Sequence, residues 1–199
     1  MTEQDVQLIL ASRSPRRAAL LTQLGLHFRV LASSIDESGR AGESAAALVQ
    51  RLAEDKARAT AARGDYGVPV LGADTLVVSG AMTLGKPVDR TDGLAMLARL
   101  SGRSHEVLTA VALVLGARTE VRVSLSRVYF RQITRREAEA YWETGEPLDK
   151  AGGYGIQGIG GIFARRIEGS FSGIAGLPLA ETEALLQTFG VNTWQYRGA

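Results

Sequence analysis

The sequence predicts an α/β protein with a mixed β-sheet covered by helices, and three observations lead there. The chain opens as strand, helix, strand, with apolar runs at Leu8–Ala11 and Phe28–Ala32 on either side of a helical pattern from Ser14 to about Leu24. Farther on, Val107–Leu115 and Val121–Phe130 are separated by Gly116 and polar residues, most simply an antiparallel pair. No internal repeat, low-complexity tract or linker interrupts residues 1–199, so a single domain is expected.

The elements follow in order. After the second strand a polar, Gly-containing loop, Ser33 to Glu43, leads to a long Ala-rich helix from about Ser44 to Ala62. Val68–Val78 reads as a buried strand, and Leu94–Leu100 as the apolar side of a short helix. Thr134 with Glu137 three residues later is a capping box for a helix through Trp142 that stops at Gly145. A Gly-rich stretch, Ala151 to Gly161, precedes a strand around Ile162–Ile167. Pro178 marks the start of a last helix, Leu179 to Phe189, stopped by Gly190.

Composition removes several chemistries. With no cysteine, disulfides, thiolate nucleophiles and cysteine-based zinc sites are excluded. His27 and His105 have no ligand spacing, so a metal would be held by carboxylates, which suits Mg²⁺ or Mn²⁺. A net charge of +2 gives no case for nucleic acid. The acidic start, Met1 to Asp5, fits no secretory signal or transit peptide, and no apolar run approaches the ~20 residues of a membrane helix. A cytoplasmic protein with no membrane partner is expected.

Ser12-Arg13-Ser14-Pro15-Arg16-Arg17 is the most informative stretch. Ser14 is a good N-cap and Pro15 a good first helical residue, so Arg16 and Arg17 fall in the first turn, where the macrodipole favours acids. A phosphate would offset that charge, bound by free N–H groups and guanidiniums. The alternative is a solvated basic helix end.

Asp74 interrupts the apolar run Val70–Val78 and needs a cation or metal if buried, and Thr75 beside it adds a hydroxyl that could bind a ligand. A salt-bridged structural Asp is the alternative. Lys56 follows Leu48 and Leu52 at four-residue steps, on the helix column facing the core, or it snorkels out to water. Lys86 lies in Leu84-Gly85-Lys86-Pro87, just past the Asp74 strand. Glu37, in the polar loop, is either a second metal-facing carboxylate or a solvated acid.

Gly153-Tyr154-Gly155-Ile156-Gln157-Gly158 matches the dinucleotide fingerprint only formally, lacking a clear preceding strand and a later ribose-binding acid. Its glycines suit close approach of the backbone to a ligand, with Tyr154 available for stacking and Gln157 for hydrogen bonding to a base edge, or else form a structural turn.

Together, Ala11 to Arg17, Leu71-Gly72-Ala73-Asp74-Thr75, Gly85-Lys86-Pro87, Ser101 to Val107, Asp149 to Gly158 and Gly176-Leu177-Pro178-Leu179 resemble the Maf family of nucleoside triphosphate pyrophosphatases from Leu8 to about Thr182. The resemblance implies an elongated α/β fold with two lobes around a cleft, similar to the inosine triphosphate pyrophosphatases. It implies metal-assisted hydrolysis of dTTP and UTP to the monophosphate and pyrophosphate. It matches Asp74 to the proton acceptor, and Glu37, Lys56 and Lys86 to further polar residues of the family site; Asp74 and Glu37 are the carboxylates expected to hold the metal. Arg16, Thr75 and Gln157 match the specificity positions, while Ser12, Ser14 and Arg17 belong to the phosphate-binding turn. A 7-methyl-GTP or modified-nucleotide pyrophosphatase, and a non-catalytic nucleotide-binding regulator of cell division, are the alternatives, since the family is linked to septum formation. A homodimer is compatible with the resemblance.

Overall fold

The computed structural model describes residues 6–194, so the acidic start Met1 to Asp5 lies outside the described residues. Among the described residues seven strands, β1 (Leu8–Leu10), β2 (Phe28–Val30), β3 (Val70–Ser79), β4 (Met82–Leu84), β5 (Ser104–Leu115), β6 (Arg118–Phe130) and β7 (Ala164–Glu168), form one mixed sheet in the order β2-β1-β3-β5-β6-β7, with β4 paired to β3. Helices accompany it, and the predicted α/β class is the one observed.

Each local signal acts as its chemistry requires. β1 (Leu8–Leu10) pairs in parallel with both β2 (Phe28–Val30) and β3 (Val70–Ser79). Between β1 and β2, α1 (Pro15–Gln23) starts at Ser14, whose side chain caps the N–H of Arg17, with Pro15 in the first position and no acid in the first turn. Ser44 caps α2 (Ala45–Ala61) through the N–H of Ala47. β5 (Ser104–Leu115) and β6 (Arg118–Phe130) are sheet neighbours joined across Gly116 (φ 57°) and Ala117, a link only an antiparallel pair allows. The Thr134–Glu137 capping box opens α4 (Arg135–Glu143), and Pro178 precedes α6 (Leu179–Thr188).

Four features differ from the sequence reading. β4 (Met82–Leu84) folds back on β3 in a run too short to show alternation. α3 (Arg90–Leu100) runs a turn ahead of the apolar side read at Leu94–Leu100, because Asp89 caps the N–H of Asp92 at 2.8 Å. The Gly-rich stretch coils into short 3-10 turns, Ala151–Gly153 and Ile159–Phe163, so β7 starts only at Ala164 (Ala164–Glu168). A four-residue helix, α5 (Phe171–Ile174), is capped by Ser170.

The chain divides into two compact units. The first comprises the residues up to Asp74, Thr109–Ser124 and those from Gly176 onward. Its core is aliphatic: Leu8, Ile9 and Leu10 of β1, Leu20 and Leu21 of α1, Val49, Leu52 and Ala53 of α2, and Leu185 and Leu186 of α6 are all buried. Gly72 is a glycine because α2 packs directly on β3: a Cβ there would overlap the Ala53 carbonyl oxygen and lie 2.7 Å from Ala57 N. Gly72→Ala is therefore expected to cost about 2–3 kcal/mol by overpacking, lowering Tm by roughly 2–4 °C per kcal/mol for a chain of this size. A thermal melt of that variant checks it.

The second unit, Thr75–Leu108 with Leu125–Ala175, has an aromatic core. Phe130 meets the rings of His105 and Tyr154 edge-on, each at 4.8 Å between centroids, and Tyr141 packs edge-on to Phe163 at 5.2 Å. Val77, Met96, Leu97, Leu100, Val107 and Val128 are among the aliphatic residues buried with it.

Candidate active site

Strand alternation puts Gly72 and Asp74 on one face of β3, toward α2. The close approach that Gly72 permits brings Lys56, beside Ala57 on α2, to Asp74. Lys56 Nζ lies 2.6 Å from Asp74 Oδ1 and 2.7 Å from Glu37 Oε1, so one ammonium bridges two carboxylates. The column Leu48, Leu52, Lys56 does face inward, and the lysine is 9% exposed. It does not snorkel to water; its charge is matched in place.

Asp74 is 7% exposed, and burial raises its pKa above the usual carboxylate value, the charges of Lys56 and Arg17 opposing the rise only in part. A carboxylate of raised pKa is a better proton acceptor near neutral pH. Glu37 remains largely solvated on a loop fixed to α2 by Arg51. That guanidinium donates from Nε and Nη2 to the Glu43 carboxylate at 2.7 and 2.8 Å and from Nη2 to the Ser38 carbonyl at 3.0 Å. The hydrogen bonds from Arg51 and the Arg40 amide draw the Glu43 pKa down to about 2, so the clasp is charged throughout the neutral range. A pocket of about 440 Å³ lies against this loop, lined by Asp36 and Ser38 among others. Glu37, between those two, reaches Lys56 instead.

The turn before α1 lies in the same unit. Ser12 Oγ accepts from the Ser14 N–H at 3.2 Å and from Arg17 Nη1 at 3.1 Å, while Arg17 Nε donates to the Gly176 carbonyl at 2.8 Å. Arg17 thus ties the turn to the segment leading into α6. Burial lowers its pKa, Asp74 raises it, Arg16 lowers it and Glu37 raises it, which places all five charges, Lys56 included, in one electrostatic neighbourhood.

The first unit therefore gathers Ser12, Ser14, Arg16, Arg17, Glu37, Lys56 and Asp74. Thr75, Lys86 and Gln157 belong to the second unit. Within it, the Gly152 N–H donates to the Gly85 carbonyl at 2.9 Å, fastening the Lys86 loop to the Gly-rich segment. Lys86 and Gln157 are both exposed.

Tyr154 is not the stacking surface the sequence suggests. It is 5% exposed, its hydroxyl lies 2.8 Å from His105 Nε2, and its ring is locked in the aromatic core, so it cannot stack on a ligand. The glycines around it also have a reason the sequence did not reveal: Gly155 and Gly158 leave room for the Glu146 carboxylate, and Gly160 for the Tyr141 hydroxyl.

Among the described residues no group of three or more His, Cys, Asp or Glu could form a metal cage. Asp74 and Glu37 converge on the Lys56 ammonium, and carboxylate oxygens are the donor type that suits Mg²⁺ or Mn²⁺ when substrate phosphates and water supply the rest of the shell. Among the described residues no helix is long and apolar enough to cross a membrane.

Fold and site define an α/β protein with a lysine-bridged carboxylate pair beside a basic helix start. The family model for Maf-like protein matches residues 7–189. The chain is 54% identical over 190 residues to a dTTP/UTP pyrophosphatase of Hahella chejuensis, covering 94% of each chain. It is 50% identical to the dTTP/UTP pyrophosphatase of Saccharophagus degradans, over 97% of this chain and 93% of that one, and 47% identical to that of Vibrio cholerae, over 92% and 98%. This chain belongs to the Maf family. A solved nucleoside-triphosphatase / dITP/XTP pyrophosphatase of Mycobacterium abscessus is similar over 93% of this chain and 96% of that one, at 18% identity and a TM-score of 0.47, too distant a likeness to build on.

Proposed function

We propose that this protein hydrolyses dTTP and UTP to the nucleoside monophosphate and pyrophosphate, with water as nucleophile, in the cytoplasm. One observation carries the reading: a buried carboxylate, Asp74, shares a lysine with a second carboxylate, Glu37, in the electrostatic field of a basic helix start. The activity in the names of relatives at 47–54% identity supports the substrate.

In this reading Asp74 accepts the proton of the attacking water. Its raised pKa suits that task, and Lys56 holds the acceptor oxygen in place while keeping the carboxylate ionised. The N–H groups at the start of α1, Ser12, Ser14, Arg16 and Arg17 bind phosphate oxygens, and Lys86 supplies a further cation. Thr75 and Gln157 select the base. Asp74 and Glu37 would hold Mg²⁺ or Mn²⁺, which when bound polarises the phosphate and offsets its charge.

Pyrophosphate release from dTTP, UTP, CTP and 7-methyl-GTP, with Mg²⁺ or Mn²⁺ and an EDTA control, tests the proposal. Release confined to dTTP and UTP and abolished by EDTA is expected. Preference for 7-methyl-GTP would remove the assigned roles of Thr75 and Gln157, and no release from any triphosphate would replace the hydrolase by a binding protein.

A further inference from the structure

We infer that Glu146 is a positioning residue for substrate recognition: its carboxylate, directly on one side of Gln157 and through the Tyr141 hydroxyl on the other, holds the backbone in the shape that presents this side chain to the nucleotide base. The inference rests on the reading of the protein as a dTTP/UTP pyrophosphatase. Glu146 lies in the 3-10 turn Glu146–Asp149 just after α4, in none of the segments read from the sequence as binding residues.

The carboxylate accepts three hydrogen bonds. Oε1 takes the Tyr141 hydroxyl at 2.7 Å and the Gly160 N–H at 3.0 Å, and Oε2 takes the Ile159 N–H at 2.9 Å. Tyr141 extends the grip, since its hydroxyl oxygen accepts the Gly155 N–H at 3.0 Å. Residues 155 and 159–160 are therefore pinned to one anion, and exposed Gln157 stands between the pinned points. The three glycines are fitted to this hub. A Cβ on Gly155 would lie 2.7 Å from Glu146 Oε1, one on Gly158 would overlap Oε2, and one on Gly160 would lie 2.5 Å from the Tyr141 oxygen.

Burial works against the charge on Glu146, but the amides of Gly160 and Ile159 and the Tyr141 hydroxyl outweigh it and hold its pKa below the ordinary value. The hub stays ionised at neutral pH. A carboxylate is also the only side chain of this size that can accept all three donors, because an amide has one acceptor oxygen and turns an N–H₂ toward a backbone N–H.

Glu146→Gln keeps the shape and removes one acceptor. Steady-state kinetics with UTP, dTTP and CTP, together with hydrogen–deuterium exchange of the amides of residues 155–161, test the inference. The KM for UTP and dTTP should rise about tenfold, the size of one lost charge-assisted hydrogen bond, with a much smaller change in kcat. Exchange should quicken at 155–161 and not in the rest of the chain. Tyr141→Phe, which loses only a hydroxyl, should shift both quantities the same way by less, and it decides the matter should Glu146→Gln fail to fold. Faster exchange with unchanged KM, a fall in kcat at constant KM, or loss of thermal stability alone in both variants would overturn the positioning role. Wild-type inactivity toward every triphosphate would instead defeat the hydrolase reading, before any variant is made.

Discussion

Asp74→Asn is expected to lower pyrophosphate release from UTP by roughly 10³-fold or more, the upper range of what a positioned proton acceptor contributes. The fold should survive. Asn has the shape of Asp, and burial already disfavours the ionised form at this position, so a neutral group there relieves a desolvation cost. Lys56 loses one of its two carboxylate partners and keeps Glu37. Kinetics alongside a thermal melt read both halves: a melt within a few degrees of wild type with turnover gone is the expected pair of results. Turnover above a tenth of wild type would remove Asp74 from the chemistry.

Lys56→Met should cost roughly 10²-fold in kcat and move the acid limb of the pH profile upward. The sign follows from the site. Asp74 must be ionised to accept a proton, and burial raises its pKa. The strongest opposing influence is the charge of Lys56. Removing that charge lets the pKa rise further, so a higher pH is needed to reach the active form. In wild type the limb should already lie above the usual carboxylate range. The kcat/KM profile measured for both proteins checks this, and a limb that moves downward or not at all would break the coupling between Lys56 and Asp74.

Much of this arrangement was legible in the sequence because it rests on local rules. Ser14-Pro15, Ser44 and the Thr134–Glu137 box gave helix starts that depend on two or three neighbouring residues. Lys56 and Asp74 stood out because each puts a charge where its element turns apolar. For Glu37 spacing leaves a metal-facing carboxylate and a solvated acid equally open, since only the folded chain brings the lysine of α2 to it. Arg51 did not stand out, since its partners Glu43 and Ser38 are 8 and 13 residues away.

Short β4 and α5 lack the length over which periodicity shows. The Gly-rich segment was the deepest ambiguity. Dense glycines say that something comes close to the backbone without saying what, and here it is the chain's own Glu146 and Tyr141. Tyr154 is ambiguous for the same reason: an aromatic among glycines resembles a stacking platform, and only the partners His105 and Phe130, distant in sequence, show it to be core.

The central claim is hydrolysis of a pyrimidine nucleoside triphosphate between its α- and β-phosphates, and the products of UTP turnover by the full chain test it most directly. Chromatography of the reaction should show UMP and pyrophosphate in equal amounts from the first turnovers, with no UDP. Release of UDP and inorganic phosphate would contradict the account, because cleavage would then lie at the γ-phosphate.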